Sequence, residues 1–273
     1  MNARATVALL ALAVACARPA PVAPAPAPAP EATPSPAARR PEPPHPVPLP
    51  ANPPQLGKIP PSGYVGAIHW WRNSAEQIAV YTEIYRWAGE TVRRAAAGER
   101  SGAWGVIMDA DETLLDNSDY QLERNGQGLD YTSESWAAWV HRQAARATPG
   151  SVEFTRLVHG LGGRVAVVTN RDDELCPDTR ENLRRLGITF DVVLCRVNHV
   201  DDKNPRFRQV QSGTDTGLPA LHVLMWVGDN VNDFPDQSQA IRAQGPDAFS
   251  RFGSTFVALP NPMYGSWTNN PVQ

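Results

Sequence analysis

The chain has 273 residues, with 27 prolines, 3 cysteines, 8 tryptophans and a net charge of −3. That charge, without any Lys/Arg stripe, argues against binding a nucleic acid polymer. No run of about 18 apolar residues is present for an ordinary transmembrane helix, and the cysteines form neither a disulfide scaffold nor a CxxC or Cys/His cluster of the zinc kind.

The prolines divide the chain. Of the 27, 18 fall between Pro19 and Pro61, whereas all 8 tryptophans lie from Trp70 to Trp267. The Pro/Ala-rich residues 17–61 cannot bury enough apolar surface to offset their ordering entropy, and they read as a disordered or extended spacer. Residues 62–273 suffice for one α/β domain with a small cap and are too few for two large domains.

Residues 1–16 read MNARATVALLALAVAC, with Arg4 ahead of an apolar run from Ala5 to Ala15. This is a secretory signal pattern, too short to span a membrane as a mature helix. Ala13-Val14-Ala15-Cys16 resembles a bacterial lipobox. The likeness implies lipidation at Cys16 and contact with a membrane through the lipid anchor only. Ordinary signal cleavage nearby, with Cys16 incidental, is the alternative. As extended polyproline II the ~40 residues that follow would reach about 100 Å.

In the body, Ser74-Ala-Glu-Gln77 reads as a capping box. Ile78, Tyr81, Tyr85, Ala88 and Val92 follow at helical spacing, one apolar face whose aromatics read as core, with Gly98 as a stop. Gly105–Met108 is a short buried strand. Residues 114–148 are the least legible part, with a helical pattern around Trp136, Trp139 and Val140 broken by Pro149-Gly150. A helix over 152–161, a strand over 165–168, a helix over 177–187 and strands over 190–194, 221–227 and 255–259 complete the pattern. Strands alternating with helices predict a doubly wound, Rossmann-like parallel sheet, with ligands beyond the carboxyl ends of its strands. The cap elements are expected from 62–103 and 114–148.

Asp109, Thr169 and Asp229 each follow or end an expected strand. Asp109-Ala-Asp111-Glu-Thr113 and Gly228-Asp229-Asn-Val-Asn-Asp233 bring four aspartates to two strand ends, which suits a hard cation with oxygen ligands. Thr169-Asn170 offers a hydroxyl and backbone N–H groups to a phosphoryl oxygen. Lys203, between the third and fourth strands, is the compensating cation. Without such compensation each like-charge pair at ~4 Å costs about 4 kcal/mol at an effective dielectric near 20.

DxDxT, VVTN, Lys and GDNxxD in this order resemble the haloacid dehalogenase (HAD) superfamily of phosphoryl-transfer enzymes. The finer resemblance is to its class C, four-aspartate acid phosphatases of the lipoprotein e type. It rests on DADETLLDNSDY (109–120), SWAAWV (135–140), ATPGSVEF (147–154), VVTNRDD (167–173), VGDNVNDF (227–234) and TFVALPNPMYGSW (255–267), and covers roughly residues 62–270. The resemblance implies Asp109 as nucleophile, Asp111 as general acid and then base, and Thr169 with Asn170 at the phosphoryl group. It implies Mg²⁺ held by Asp109, Asp229 and the backbone carbonyl of Asp111, with Asp233 holding it directly or through its water. The family lysine stands three residues before an Arg-Phe pair, which Lys203-Asn-Pro-Arg206-Phe207 satisfies. Two aromatics of the family sandwich a substrate ring, and by position these are Trp136 and Tyr264, with packing of the cap as the alternative role. Trp139 is expected in the core.

The expected activity is hydrolysis of small phosphate monoesters, nucleoside monophosphates and aryl phosphates among them. An acidic optimum follows from the need for Asp111 to carry a proton when it acts. The expected location is outside the cytoplasm, lipid-anchored at the outer membrane or periplasmic. Two alternatives stay open: a phosphotransferase on the same fold, and a non-enzymatic surface lipoprotein. Cys176 and Cys195 fall at one edge of the sheet, where an oxidising compartment permits a disulfide. A homodimer is an open assembly state, on which the end of the chain soon after Trp267 bears, because family members often continue there.

Overall fold

The computed structural model describes residues 63–271, with side chains from Gly66 onward. The signal peptide, Cys16 and the spacer lie outside the described residues.

Helices α1 (Gly63–Asn73) and α2 (Ala75–Ala95) come first. Ser74 accepts the Gln77 N–H at 3.1 Å and caps α2, which is one arm of the expected capping box. Tyr81, Tyr85, Ala88 and Val92 form the buried face, but Ile78 does not join them and is 57% exposed. The stripe starts instead at Gln77, about 100° round the helix from Ile78, which rotates the isoleucine out to solvent.

Strand β1 (Trp104–Met108) is buried along its whole length. The illegible stretch then resolves into β2 (Leu115–Asp116), α3 (Ser118–Gly126), α4 (Ser133–Arg142) and β3 (Arg146–Ala147). β2 and β3 pair antiparallel, with Leu115 opposite Ala147. Two-residue strands carry no period-2 signal, and this pair escaped the sequence pattern. The remaining elements are α5 (Ser151–Gly160), β4 (Arg164–Asp172), α6 (Cys176–Arg185), β5 (Val192–Arg196), α7 (Asn204–Ser212), β6 (His222–Gly228) and β7 (Phe256–Ala258).

Five strands form one sheet in the order β5-β4-β1-β6-β7, every neighbouring pair parallel. From central β1 the chain winds out through β4 and β5 on one side, then returns to lay β6 and β7 on the other. β1 is therefore where the winding reverses, and a crevice opens beyond its carboxyl end.

Both faces of the sheet are covered, which is why its strands are continuous apolar runs rather than alternating ones. Val106 and Met108 pack with Tyr81 and Tyr85 of α2, Phe154 and Val158 of α5, and Leu183 of α6. Ile107, pointing the opposite way, packs with Ala166, Val168, Phe207 and Val210 of α7, and Phe234. The segment 62–103, expected to supply cap elements, divides. α2 joins the helical layer beside α5, and α1 packs against α3. Cys176 and Cys195 form a disulfide that ties the start of α6 to β5, with Cα atoms 6.0 Å apart.

Candidate active site

Asp109 directly follows β1, and its N–H extends the ladder to the Val227 carbonyl of β6 at 2.9 Å. Asp229 directly follows β6. The 3-10 turn Val231–Asp233 then brings a third carboxylate back to the same point. The Asn230 N–H donates to Asp233 Oδ2 at 2.8 Å. A Cβ on Gly228 would stand 2.3 Å from the Asp233 Cβ, so only glycine leaves room for that return. Carboxylate oxygens of Asp109, Asp229 and Asp233 all lie within 4.8 Å of one another.

Lys203 precedes α7 and is 5% exposed. Its Nζ reaches Asp233 Oδ1 at 2.6 Å and also contacts Asp109 Oδ1. Asn261 donates to Asp229 Oδ2 at 2.7 Å. Burial pushes Asp109 up to about 7, opposed by Lys203 and reinforced by Asp233 and Asp111. Asp229 is raised well above the usual carboxylate range, first by burial and then by Asp233 and Asp109. Burial works against the charge on Lys203, but Asp109 and Asp233 outweigh it and hold the ammonium above its ordinary range. Three carboxylates against one ammonium leave excess negative charge in a dry place. An all-oxygen donor set with that excess fits a hard divalent cation.

Asp111 stands outside this trio. Its Oδ1 accepts from Arg171 Nη2 at 2.7 Å, and Arg171 Nε lies 3.0 and 3.2 Å from its two oxygens. Glu112, between Asp111 and Thr113, has φ +50 and a fully buried side chain that accepts the Asn117 N–H at 2.8 Å. Burial and then Asp111 raise its carboxyl well above the usual range. Two tyrosines of α2 hold this loop from below. The Tyr81 hydroxyl donates to the Glu112 carbonyl at 2.6 Å, and that of Tyr85 to the Thr113 carbonyl at 2.8 Å. Burial raises both phenols, which keeps them as donors.

A cavity of about 370 Å³ opens over these groups, and its wall includes Asp109, Asp111, Trp136, Asn170, Lys203, Asp229, Asp233 and Tyr264. The chain matches the family described as HAD superfamily, subfamily IIIB (Acid phosphatase), over residues 60–267. It belongs to that family. Among solved structures it is similar to the class C acid phosphatase from Bacillus anthracis, at 27% identity and a TM-score of 0.66, over 75% of this chain and 86% of that one. The same enzyme with tungstate bound matches at 27% identity and a TM-score of 0.65, over the same shares. This acid phosphatase is therefore a phosphoric monoester hydrolase, and the non-enzymatic alternative is set aside.

Against this frame the residues expected from sequence are not all placed alike. Asp109, Lys203, Asp229 and Asp233 converge. Trp136 and Tyr264 both line the cavity, while Trp139 is 3% exposed and donates to Asn117 Oδ1 at 2.9 Å. Asn170 reaches the wall, its amide pinned by the Asp201 carbonyl at 3.0 Å and by Arg206 at 2.5 Å. Thr169 is fully buried, and its Oγ1 accepts the Arg171 N–H at 3.2 Å. Arg171 was not singled out from sequence, although it stands next to Thr169-Asn170 in VVTNRDD. Tyr81 and Tyr85 were read as core only.

A carboxyl whose folded value is raised weakens the fold as pH climbs from its unfolded value through the folded one. In chelator at neutral pH, Asp229→Asn will therefore melt higher than the native protein, an advantage that grows above about pH 4. With a divalent cation at about 100 times its Kd the native protein gains about 2.7 kcal/mol, and the variant gains far less. Thermal melts in both conditions check this, and equal cation gains in the two proteins would remove Asp229 from the metal site.

Proposed function

We propose that this acid phosphatase hydrolyses small phosphate monoesters in two steps, with Mg²⁺, through an aspartyl-phosphate at Asp109. The observation that carries the reading is the pairing of Asp109 with Lys203 and two further carboxylates at the floor of one cavity, while Asp111 is held apart two residues on. In the first step an Asp109 oxygen attacks phosphorus, the ester P–O bond breaks, and Asp111 gives its proton to the departing oxygen. In the second, Asp111 takes a proton from water, the water oxygen attacks phosphorus, and the bond to Asp109 breaks to release phosphate. Asp109, Asp229, Asp233 and the Asp111 backbone carbonyl would hold Mg²⁺, which when bound offsets negative charge on the phosphoryl group. Lys203 contributes to the same neutralisation. Asn170 offers its backbone to the phosphoryl oxygens, and Thr169 holds this end of β4 by accepting the Arg171 N–H. The similar Bacillus anthracis enzyme has a structure with tungstate bound, and tungstate is tetrahedral like phosphate, which supports a tetrahedral oxyanion as a ligand of this chain.

Trp136 and Tyr264 line the mouth of the cavity and are proposed to stack on the ring of an aryl phosphate or the base of a nucleoside monophosphate. The N-terminal pattern adds a location. The protein is exported and anchored at Cys16, in the outer membrane or facing the periplasm, with the Pro/Ala-rich residues as spacer.

Three outcomes are expected. p-Nitrophenyl phosphate is turned over with Mg²⁺ and not with chelator, and Asp109→Asn lowers kcat by about 10⁴-fold or more. Substantial turnover in that variant would refute the covalent intermediate. Trp136→Ala or Tyr264→Ala raises KM for nucleoside monophosphates roughly tenfold and leaves glycerol phosphate unchanged, so an equal rise for both substrates would speak against stacking. Mass spectrometry of the mature N-terminus gives a diacylglyceryl-modified Cys16, and an unmodified terminus decides for ordinary signal cleavage.

A further inference from the structure

Arg171 lies next to the last residue of β4 and reaches the cavity wall, yet it is only 2% exposed. Its guanidinium fork is directed at three side chains. Nε and Nη2 take the two oxygens of Asp111, Nη2 also donates to Asn117 Oδ1 at 3.1 Å, and Nη1 donates to Thr179 Oγ1 of α6 at 3.2 Å. Asn117 closes the arrangement from the other side. Its Nδ2 donates to Asp111 Oδ1 at 2.8 Å, and its own Oδ1 is fixed by the Trp139 indole. The Trp136 ring covers the guanidinium, with its centroid 5.3 Å from Cζ.

Two carboxylates two residues apart thus have separate cations. Asp109 has Lys203 and belongs to the metal-ligand trio, whereas Asp111 has Arg171 and stands outside it. A buried arginine is a poor source of net stability, since desolvation offsets most of the attraction. What a planar fork supplies, and a lysine does not, is a fixed direction for both oxygens of its partner. We propose that Arg171 is the positioning residue for Asp111, aligning its carboxyl for proton transfer to the leaving oxygen. The inference rests on the reading of Asp111 as acid and base given above. The rival is a structural tie joining β4, α6 and the Asn117 loop with no bearing on that step.

The two differ in how activity depends on the leaving group. A good leaving group departs without a proton, and a poor one needs it. The experiment measures kcat/KM over a series of ring-substituted phenyl phosphates, in which binding stays constant and phenol acidity varies. It uses the native enzyme, Asp111→Asn, Arg171→Gln, Arg171→Lys and the double variant Asp111→Asn/Arg171→Gln. If Asp111 is the acid, Asp111→Asn loses about 10²-fold more on the poorest leaving group than on the best. Arg171→Gln is expected to show the same tilt, and the double variant to be no worse than Asp111→Asn alone. Arg171→Lys, which keeps the charge and loses the fork, is expected to show the tilt in weaker form, and it decides the matter should Arg171→Gln fail to fold. A uniform loss across the series in the Arg171 variants, or multiplied losses in the double variant, would overturn the proposal. A flat series in Asp111→Asn would instead refute the acid reading, and the proposal with it.

Discussion

Asp109, Asp229 and Asp233 are packed within 4.8 Å of one another at the carboxyl ends of β1 and β6, with the Lys203 ammonium between two of them. Such a group is expensive to bury, and the raised carboxyls of Asp109 and Asp229 express that cost. The parallel sheet makes it possible. β1 lies between β4 and β6, so the residues that follow it start from a backbone fixed on both sides. Gly228 gives up its side chain to admit Asp233, and Asn230 and Asn261 supply the N–H groups that the carboxylates lack. An all-oxygen cluster of this kind could hold a divalent cation.

The same loop carries a second carboxylate with a different environment. One alanine separates Asp109 from Asp111, yet the first faces lysine and two aspartates while the second faces an arginine fork and an asparagine. Such a separation of two like groups by their surroundings is what the proposed division into nucleophile and acid requires. Here the surroundings come from different elements: the partners of Asp109 from beyond β5 and β6, and those of Asp111 from β4 and from Asn117 at the start of α3.

What could be read from sequence follows the same division. The five sheet strands were legible because each contains a short apolar run, and Asp109 and Asp229 were legible because they stand directly after two of those runs. Lys203 could be placed because its spacing from Arg206-Phe207 is local. Arg171 could not, because its meaning lies in a partner 60 positions away, and nothing in VVTNRDD tells a buried fork from a solvated arginine. The β2–β3 pair and the exposed side of α2 failed for related reasons. Two-residue strands have no period, and the spacing of Ile78 is compatible with a face that the core does not choose.

The tyrosines of α2 carry a consequence for where the catalytic unit begins. Counted by strands, it would start at Trp104, with everything earlier as an accessory layer. Yet the hydroxyls of Tyr81 and Tyr85 donate to the carbonyls of Glu112 and Thr113, in a loop whose glutamate already holds a left-handed backbone. A chain trimmed to its strands would keep the whole sheet and all four aspartates, yet the Glu112 carbonyl would lose the hydroxyl that holds it and the Thr113 carbonyl would keep only that of Thr148. The functional boundary of the enzyme therefore runs ahead of its first strand, at the cap of α2.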